Sequence, residues 1–253
     1  MRFTSFFSGL FLLLTGHLAF AATLSVATAS NFSDTLKRIA PAFEKATGHH
    51  LRISAASSGK LYAQIRHGAP YDLFLSADAA RPIALEQEGL NLPGSRFTYA
   101  VGQLALWAPD PANHGLAQKR LENHQFRRLA IGNPKTAPYG IAAMETLKQL
   151  GLWDALVNDA ARGENIGQTF QFVATGNADI GFVALSQLIQ AKIDPAQYWV
   201  IPAQHHQPIL QQGIILKRSA NKKAAERFFD FIKGPAAEQI LRESGYLLEA
   251  AKE

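Results

Sequence analysis

Apolar positions near the start of the chain follow two alternating patterns. Residues 23–29 form a short run of apolar and β-branched side chains, which is typical of a buried strand. Phe32, Leu36, Ile39 and Phe43 then recur at intervals of four, three and four, which places them on one face of an α-helix. The pattern therefore predicts a buried strand followed by an amphipathic helix.

Local signals predict where this helix begins and ends. Asn31 is a natural N-cap, because its side-chain oxygen can accept a hydrogen bond from the first turn, and Asp34 stands three residues later at the capping-box position. Pro41 lies inside the apolar pattern and is expected to kink the helix or restart it. The pair Thr47-Gly48 is expected to end it.

The same alternation continues along the next forty residues. Strand patterns at 50–55 and 71–76 are each followed by a helical pattern, at 61–68 and 79–87. Strands that alternate with helices at this spacing predict a parallel sheet with helices on both faces.

An apolar run at 97–107 is longer than one strand of a small sheet needs. We expect it to carry the chain into a second lobe, where the alternation restarts. Two helical patterns at 221–233 and 236–244 follow a strand pattern at 213–216, and this pair is expected to return to the first lobe. The second lobe is predicted to contain strands at 128–131, 179–184 and 198–201, and helices at 140–150 and 167–174.

The predicted fold class is therefore α/β with two lobes, each a mainly parallel sheet flanked by helices, joined by a strand hinge. Residues 22–100 together with 205–253 are assigned to lobe 1, and residues 101–204 to lobe 2.

The first 21 residues have the pattern of a secretory signal peptide. Arg2 is the only charged side chain before Asp34, an apolar core spans 6–14, and Ala19-Phe20-Ala21 has the form of a cleavage site. A membrane anchor is the alternative, but the apolar core is about half of the ~20 residues that a spanning helix needs. Cleavage is predicted after Ala21, which would export the chain to a periplasmic compartment.

Composition removes several classes of function. The chain of 253 residues has 25 Lys and Arg against 20 Asp and Glu, and the basic residues are spread along it, so a nucleic-acid-binding groove is not expected. It contains no cysteine, which excludes disulfides, Cys-ligated metals, a thiol nucleophile and a lipid attached through an N-terminal Cys.

Candidate chemistry lies at four junctions where a predicted strand or turn leads into a helix. Each offers unpaired backbone N–H groups and the positive end of a helix dipole, an arrangement that binds anions. Ordinary capping explains any one of them alone, but two junctions in each lobe favour a site. The four junctions are Ser30-Asn31, Ser57-Ser58-Gly59, Pro138-Tyr139-Gly140 and Asn165-Ile166-Gly167.

Catalytic motifs are incomplete. Ser57 and Lys60 fit the S-x-x-K pattern of serine penicillin-recognising hydrolases, but no S-D-N follows Ser57. The same segment fails as a phosphate-binding loop, because Leu61 stands where a Mg²⁺-binding Ser or Thr belongs. An enzyme is therefore not predicted, and a secreted serine hydrolase acting through Ser57 and Lys60 is kept as the distant alternative.

The junction sequences resemble those of a known family, the periplasmic molybdate-binding proteins of ABC importers, which have the type II periplasmic-binding-protein fold. The resemblance extends over essentially the whole chain after the signal peptide. It is carried by VATASNF at 26–32, FEKATG at 43–48, ASSGKLYAQIRHGAPYDLFLSAD at 56–78, PGSRFTYAVGQLALW at 93–107, NPKTAPYG at 133–140 and GNADIGFVALSQ at 176–187.

The resemblance implies an oxyanion held between the lobes by hydroxyl and backbone N–H groups without a counter-charge. It carries over Ser30, Asn31 and Ser58 from the first lobe, and Tyr139 and the backbone of Ile166 from the second. Molybdenum would be bound only as the oxyanion, through these same residues.

The resemblance is less specific at two positions, Gly59 and Ala184. Whether the N–H of Gly59 also contributes stays open. One branch of the family takes a tyrosine from the position of Ala184, but the tyrosine in the APYG segment of this chain points to Tyr139 instead.

The implied function is capture of molybdate, and of tungstate with it, by closure of the two lobes, followed by delivery to a membrane permease. A monomer with no cofactor and no nucleic-acid partner is expected. Another oxyanion, such as sulfate, phosphate or a sulfonate, remains the alternative ligand.

Overall fold

A computed structural model describes residues 21–110 and 115–248 of the chain. The predicted signal peptide, apart from Ala21, lies outside these residues. No helix in the described ranges combines the length and the apolar character needed to cross a bilayer.

In these ranges the strands form two five-stranded sheets flanked by helices. The strands are β1 Thr23–Ala29, β2 His50–Ala56, β3 Leu73–Leu75, β4 Phe97–Gly102, β5 Leu104–Trp107, β6 Leu129–Gly132, β7 Ala161–Gly163, β8 Ile180–Ala184, β9 Tyr198–Val200 and β10 Ile209–Ile215. The helices are α1 Ser33–Thr47, α2 Ser58–Arg66, α3 Ala80–Gln87, α4 Ala117–Glu122, α5 Pro138–Gln149, α6 Trp153–Leu156, α7 Ile166–Ala174, α8 Leu185–Gln190, α9 Lys222–Ile232 and α10 Pro235–Glu243.

Both sheets are mixed. The first has the order β2-β1-β3-β10-β4, with β1, β2 and β3 parallel and β10 antiparallel to both of its neighbours. The second has the order β7-β6-β8-β5-β9, with β6, β7 and β8 parallel and β5 antiparallel to both of its neighbours. The predicted two-lobed α/β fold is confirmed, and in each sheet the antiparallel pairs involve one internal strand.

The chain crosses between the sheets within the apolar run at 97–107. This run is two strands, β4 in the first sheet and β5 in the second, with only Gln103 between them. The return passes from β9 in the second sheet to β10 in the first. The exact lobe boundaries at 100/101 and 204/205 stay predictions.

Helices cover each sheet and bury an apolar core against it. In the first lobe, α1 and α9 pack on the sheet and α10 packs on these two helices, and the Phe43 ring meets the Phe228 ring edge-on at 5.2 Å between centroids. Full burial of such a side chain contributes roughly 1.5–3 kcal/mol. A second core in the other lobe includes Tyr139, Ile166 and Phe182, so two predicted site residues are also core residues.

Helix α1 differs from its prediction at the N-terminus. The residues Ser30–Phe32 form a 3₁₀ turn, the helix begins at Ser33, and no side chain caps it. The predicted N-cap role of Asn31 is wrong, because its amide donates instead to distant side chains described below. Helix α1 runs through Pro41 without a restart, and Gly48, at φ 72°, ends it as predicted.

Candidate anion-binding site

A small cavity lies between the two lobes and is lined by all five residues that the sequence singled out. The structure thus brings Ser30, Asn31 and Ser58 from the first lobe together with Tyr139 and Ile166 from the second. Their roles as ligand donors stay predictions. The cavity is lined by Ala29, Ser30, Asn31, Ala56, Ser57, Ser58, Ala77, Ala137, Pro138, Tyr139 and Ile166.

In the first lobe, the carboxyl ends of β1 and β2 supply the serine residues. Ser30 follows β1 directly, and its Oγ lies 3.4 Å from the backbone N of Gly167 in the other lobe. Ser58 is the first residue of α2, fully buried, and its Oγ accepts a hydrogen bond from the N–H of Ala77 at 2.9 Å. In both residues the hydroxyl O–H is left free to donate a hydrogen bond to a bound anion.

In the second lobe, two helix N-termini reach the cavity. Helix α5 begins at Pro138, a residue suited to the first helical position, so Tyr139 is its second residue. Helix α7 begins at Ile166, and the side chain of Asn165 caps it by accepting from the N–H of Gln168 at 3.0 Å. The local sequence thus sets both helix starts and leaves first-turn N–H groups unpaired.

Four backbone N–H groups of residues that line the cavity, two from each lobe, have no acceptor among residues 21–110 and 115–248. They belong to Asn31, Ser58, Tyr139 and Ile166. A buried N–H group without an acceptor is costly, so such groups are rare unless a ligand or water satisfies them. The four groups and the three helix dipoles therefore make a cavity suited to negative charge.

The cavity wall carries no formal charge at any of its lining residues within the described chain. Burial raises the pKa of the Tyr139 hydroxyl well above its usual value, and nearby Tyr246 adds to this, while hydrogen bonds with Gln211 and Asn31 offset part of the rise. Tyr139 therefore stays protonated and neutral at physiological pH. An anion in this cavity would be held by dipoles alone.

The Tyr139 hydroxyl itself is engaged at the hinge. It accepts a hydrogen bond from Gln211 Nε2 at 3.1 Å. The hydroxyl also packs against Gly102, at the end of β4 where the chain leaves the first sheet. Tyr139 thus lines the cavity, while its hydroxyl joins a network between the lobes.

The lobes touch beside the cavity through helix α2. The Gly59 N–H donates to the Thr136 carbonyl oxygen across the cleft at 3.0 Å. This N–H, whose role the sequence left open, is therefore used between the lobes. Arg81, paired with Asp78 in its own lobe, also reaches the Lys135 carbonyl oxygen at 3.4 Å.

The arrangement does not favour the hydrolase alternative. Ser57 Oγ lies 3.4 Å from the Lys60 backbone N and caps α2. The Lys60 Nζ lies 4.0 Å from Glu164 Oε2, and both side chains are exposed. Ser57 thus has a structural role that accounts for its position.

Several residues of the site were missed from sequence. Gln211, Tyr246 and Ser186 form the buried network around Asn31, and no local motif marks any of them. Ala184, the position of the alternative tyrosine, is buried at the end of β8 and does not line the cavity.

Two α/β lobes that enclose a small cavity between helix N-termini are the architecture of periplasmic solute-binding proteins. Residues 24–247 match the family described as bacterial extracellular solute-binding protein. The chain belongs to this family.

Named relatives of high identity support this assignment. The molybdate-binding protein ModA of Azotobacter vinelandii is 44% identical over 90% of this chain and 91% of its own length. ModA of Rhodobacter capsulatus is 42% identical over 91% of this chain and 90% of its own length. The solved structure of the Azotobacter vinelandii periplasmic molybdate-binding protein superposes with a TM-score of 0.86 at 45% identity, and covers 90% of this chain and 100% of that one.

Proposed function

We propose that this protein is the periplasmic solute-binding component of an ABC importer, which captures molybdate, and tungstate with it, and delivers the anion to a membrane permease. Two relatives that are more than 40% identical along nearly the whole chain carry the name molybdate-binding protein. The predicted export signal and the periplasmic location of the solved relative support the same compartment.

The observation that carries the proposal is the neutral cavity between the lobes. Four N–H groups without an acceptor in the described chain, and the hydroxyls of Ser30 and Ser58, converge there and no charged side chain lines it. Hydrogen bonds to a charged group contribute roughly 1.5–3 kcal/mol each, so six of them can offset the dehydration of a small dianion. Because fixed neutral donors are arranged in space, they select for the size and oxygen geometry of the anion.

Anion binding is coupled to closure of the lobes in this proposal. Each lobe supplies only part of the donor set, with Ser30, Asn31 and Ser58 on one side and Tyr139 and Ile166 on the other. An oxyanion therefore interacts more strongly with the closed state than with the open one and shifts the population toward closure. The permease can then recognise the closed, loaded protein.

Selectivity is expected to come from size. Sulfate has the same shape and charge as molybdate but shorter bonds to oxygen, so it cannot reach all donors at once in a cavity fixed for the larger anion. Tungstate closely matches molybdate in size and is expected to bind with it. We further propose a monomer that requires no cofactor and binds no nucleic acid.

Isothermal titration of residues 22–253 with molybdate, tungstate, sulfate and phosphate tests the proposal. We expect one-to-one binding of the first two anions and weak or no binding of the others. Binding of sulfate at an affinity similar to that of molybdate would refute the size argument. Failure of all four anions to bind would refute the proposed function itself.

A further inference from the structure

A buried glutamine outside the cavity connects site residues of both lobes. Gln211 lies on β10, the strand by which the chain re-enters the first sheet, and its side chain is fully buried. Burial of an amide is costly unless its polar atoms are paired. The polar atoms of its amide are therefore expected to have hydrogen-bond partners in the folded chain.

Both ends of the Gln211 amide are paired, and they reach different lobes. The Oε1 atom accepts from Asn31 Nδ2 at 3.0 Å and from the Tyr99 hydroxyl at 3.0 Å, both in the first lobe. The Nε2 atom donates to the Tyr139 hydroxyl, in the second lobe, at 3.1 Å. One amide group thus bridges two residues that line the cavity from opposite sides.

The backbone around Gln211 is shaped to allow this bridge. The pairing of β10 with β4 shifts register between Gln211 and Gln212, and such bulges re-aim side chains next to functional sites. On the facing strand, a Cβ at Gly102 would lie 2.6 Å from Gln211 Nε2 and would overlap the Tyr139 hydroxyl. The hydrogen bond therefore depends on a glycine at 102.

We propose that Gln211 is a positioning residue for oxyanion binding, which holds Asn31 and Tyr139 in register across the lobes when the cleft closes. This inference rests on the proposed function. Tyr246 extends the same network, since its hydroxyl donates to the Asn31 carbonyl oxygen at 3.0 Å and contacts Ser186 Oγ of the second lobe at 3.1 Å.

The variant Gln211→Met tests the bridge, because it keeps the length of the side chain and removes its hydrogen bonds. We expect its Kd for molybdate to rise about tenfold to a hundredfold, because it leaves buried groups unpaired in the closed state. Gln212→Met is the matched control on the same strand, since Gln212 bonds Arg96 and Thr98 away from the cavity. The control is expected to keep its Kd within about twofold.

A double-mutant cycle with Tyr139→Phe separates positioning from a general structural effect. If Gln211 acts through Tyr139 and Asn31, Tyr139→Phe weakens binding in the wild-type background and costs much less after Gln211→Met. Fully additive losses, or an unchanged Kd in Gln211→Met, would overturn the inference while leaving the proposed function intact. A wild-type chain that binds no oxyanion would overturn both.

If Gln211→Met does not fold, two other variants test the positioning role of Gln211. Gly102→Ala and Tyr139→Phe each disturb the same hydrogen bond without removing the glutamine. We expect both to weaken molybdate binding, with ligand-free melting temperatures showing the structural cost separately. Unchanged affinity in both folded variants would refute the positioning role.

Discussion

Addition of a single methyl group at Gly59 is expected to hold the lobes apart. A Cβ at this position would lie 3.0 Å from both the Cα and the carbonyl oxygen of Thr136, and 3.0 Å from a terminal nitrogen of Arg81. The Thr136 atoms are backbone and belong to the opposite lobe, so the turn at Thr136 or the lobe that carries it must move away by a few tenths of an ångström to relieve the contact. Since Gly59 lies on helix α2, where alanine is favoured over glycine, the open form should tolerate the change.

The size of the effect follows from two contributions. Overpacking of a close contact costs roughly 1–3 kcal/mol. The hydrogen bond from Gly59 N–H to Thr136, at 3.0 Å, would also be stretched, with a loss of about 1 kcal/mol. A total of about 2–4 kcal/mol against the closed state corresponds to an apparent Kd about 30-fold to a thousandfold weaker.

Titration with molybdate of Gly59→Ala and of wild type measures this change, and urea unfolding of the ligand-free proteins measures the cost to the lobes themselves. We expect unfolding to be nearly unchanged and affinity to fall. Lys60→Ala is the control on the same helix, because its exposed ion pair with Glu164 contributes at most about 1 kcal/mol. A Kd of Gly59→Ala within twofold of wild type would show that the contact between Gly59 and Thr136 does not belong to the binding-competent state.

Three further outcomes are expected. Ser58→Ala removes a buried hydroxyl from the cavity wall and should weaken molybdate binding about tenfold or more by titration, and an unchanged Kd would place the site elsewhere. Molybdate affinity should stay constant between about pH 6 and about pH 9, because no lining residue titrates there, and a titration series that shows a midpoint in this window would contradict the neutral cavity. Burial raises the pKa of Tyr246 from 10.0 to about 12, so its contribution to stability is complete below pH 10 and is lost between pH 10 and about 12. Urea unfolding at about pH 9 and about pH 11 should show a loss on the order of 1 kcal/mol from this group, and equal stabilities would contradict it.

The sequence by itself determined the parts of the site that depend on neighbouring residues. The starts of α2, α5 and α7 follow from Ser57, Pro138 and Asn165, which are local capping and turn residues. A helix start leaves its first N–H groups unpaired wherever it occurs, so unpaired N–H groups at these three junctions could be predicted before the fold was known, and the family resemblance singled out Ser58, Tyr139 and Ile166 among them. The apolar periodicity likewise predicted β1 and most other strands and helices.

The short elements escaped prediction because they carry little periodic signal. Helix α6 has four residues and β7 has three, which is less than one repeat of a reliable pattern. Their positions follow from packing in the second lobe and from pairing of β7 with β6.

Only the tertiary structure decided how the junctions act together. Asn31 has the local signature of an N-cap, yet its amide bonds Gln211 and Tyr246, which lie 180 and 215 positions away in sequence. Gln211 lies outside the strand that the sequence predicted at 213–216, and it bonds both lobes only because β10 begins earlier, at Ile209, and carries a bulge between Gln211 and Gln212. Such bonds exist only after the whole chain has folded, because no local pattern encodes which distant groups will be buried together.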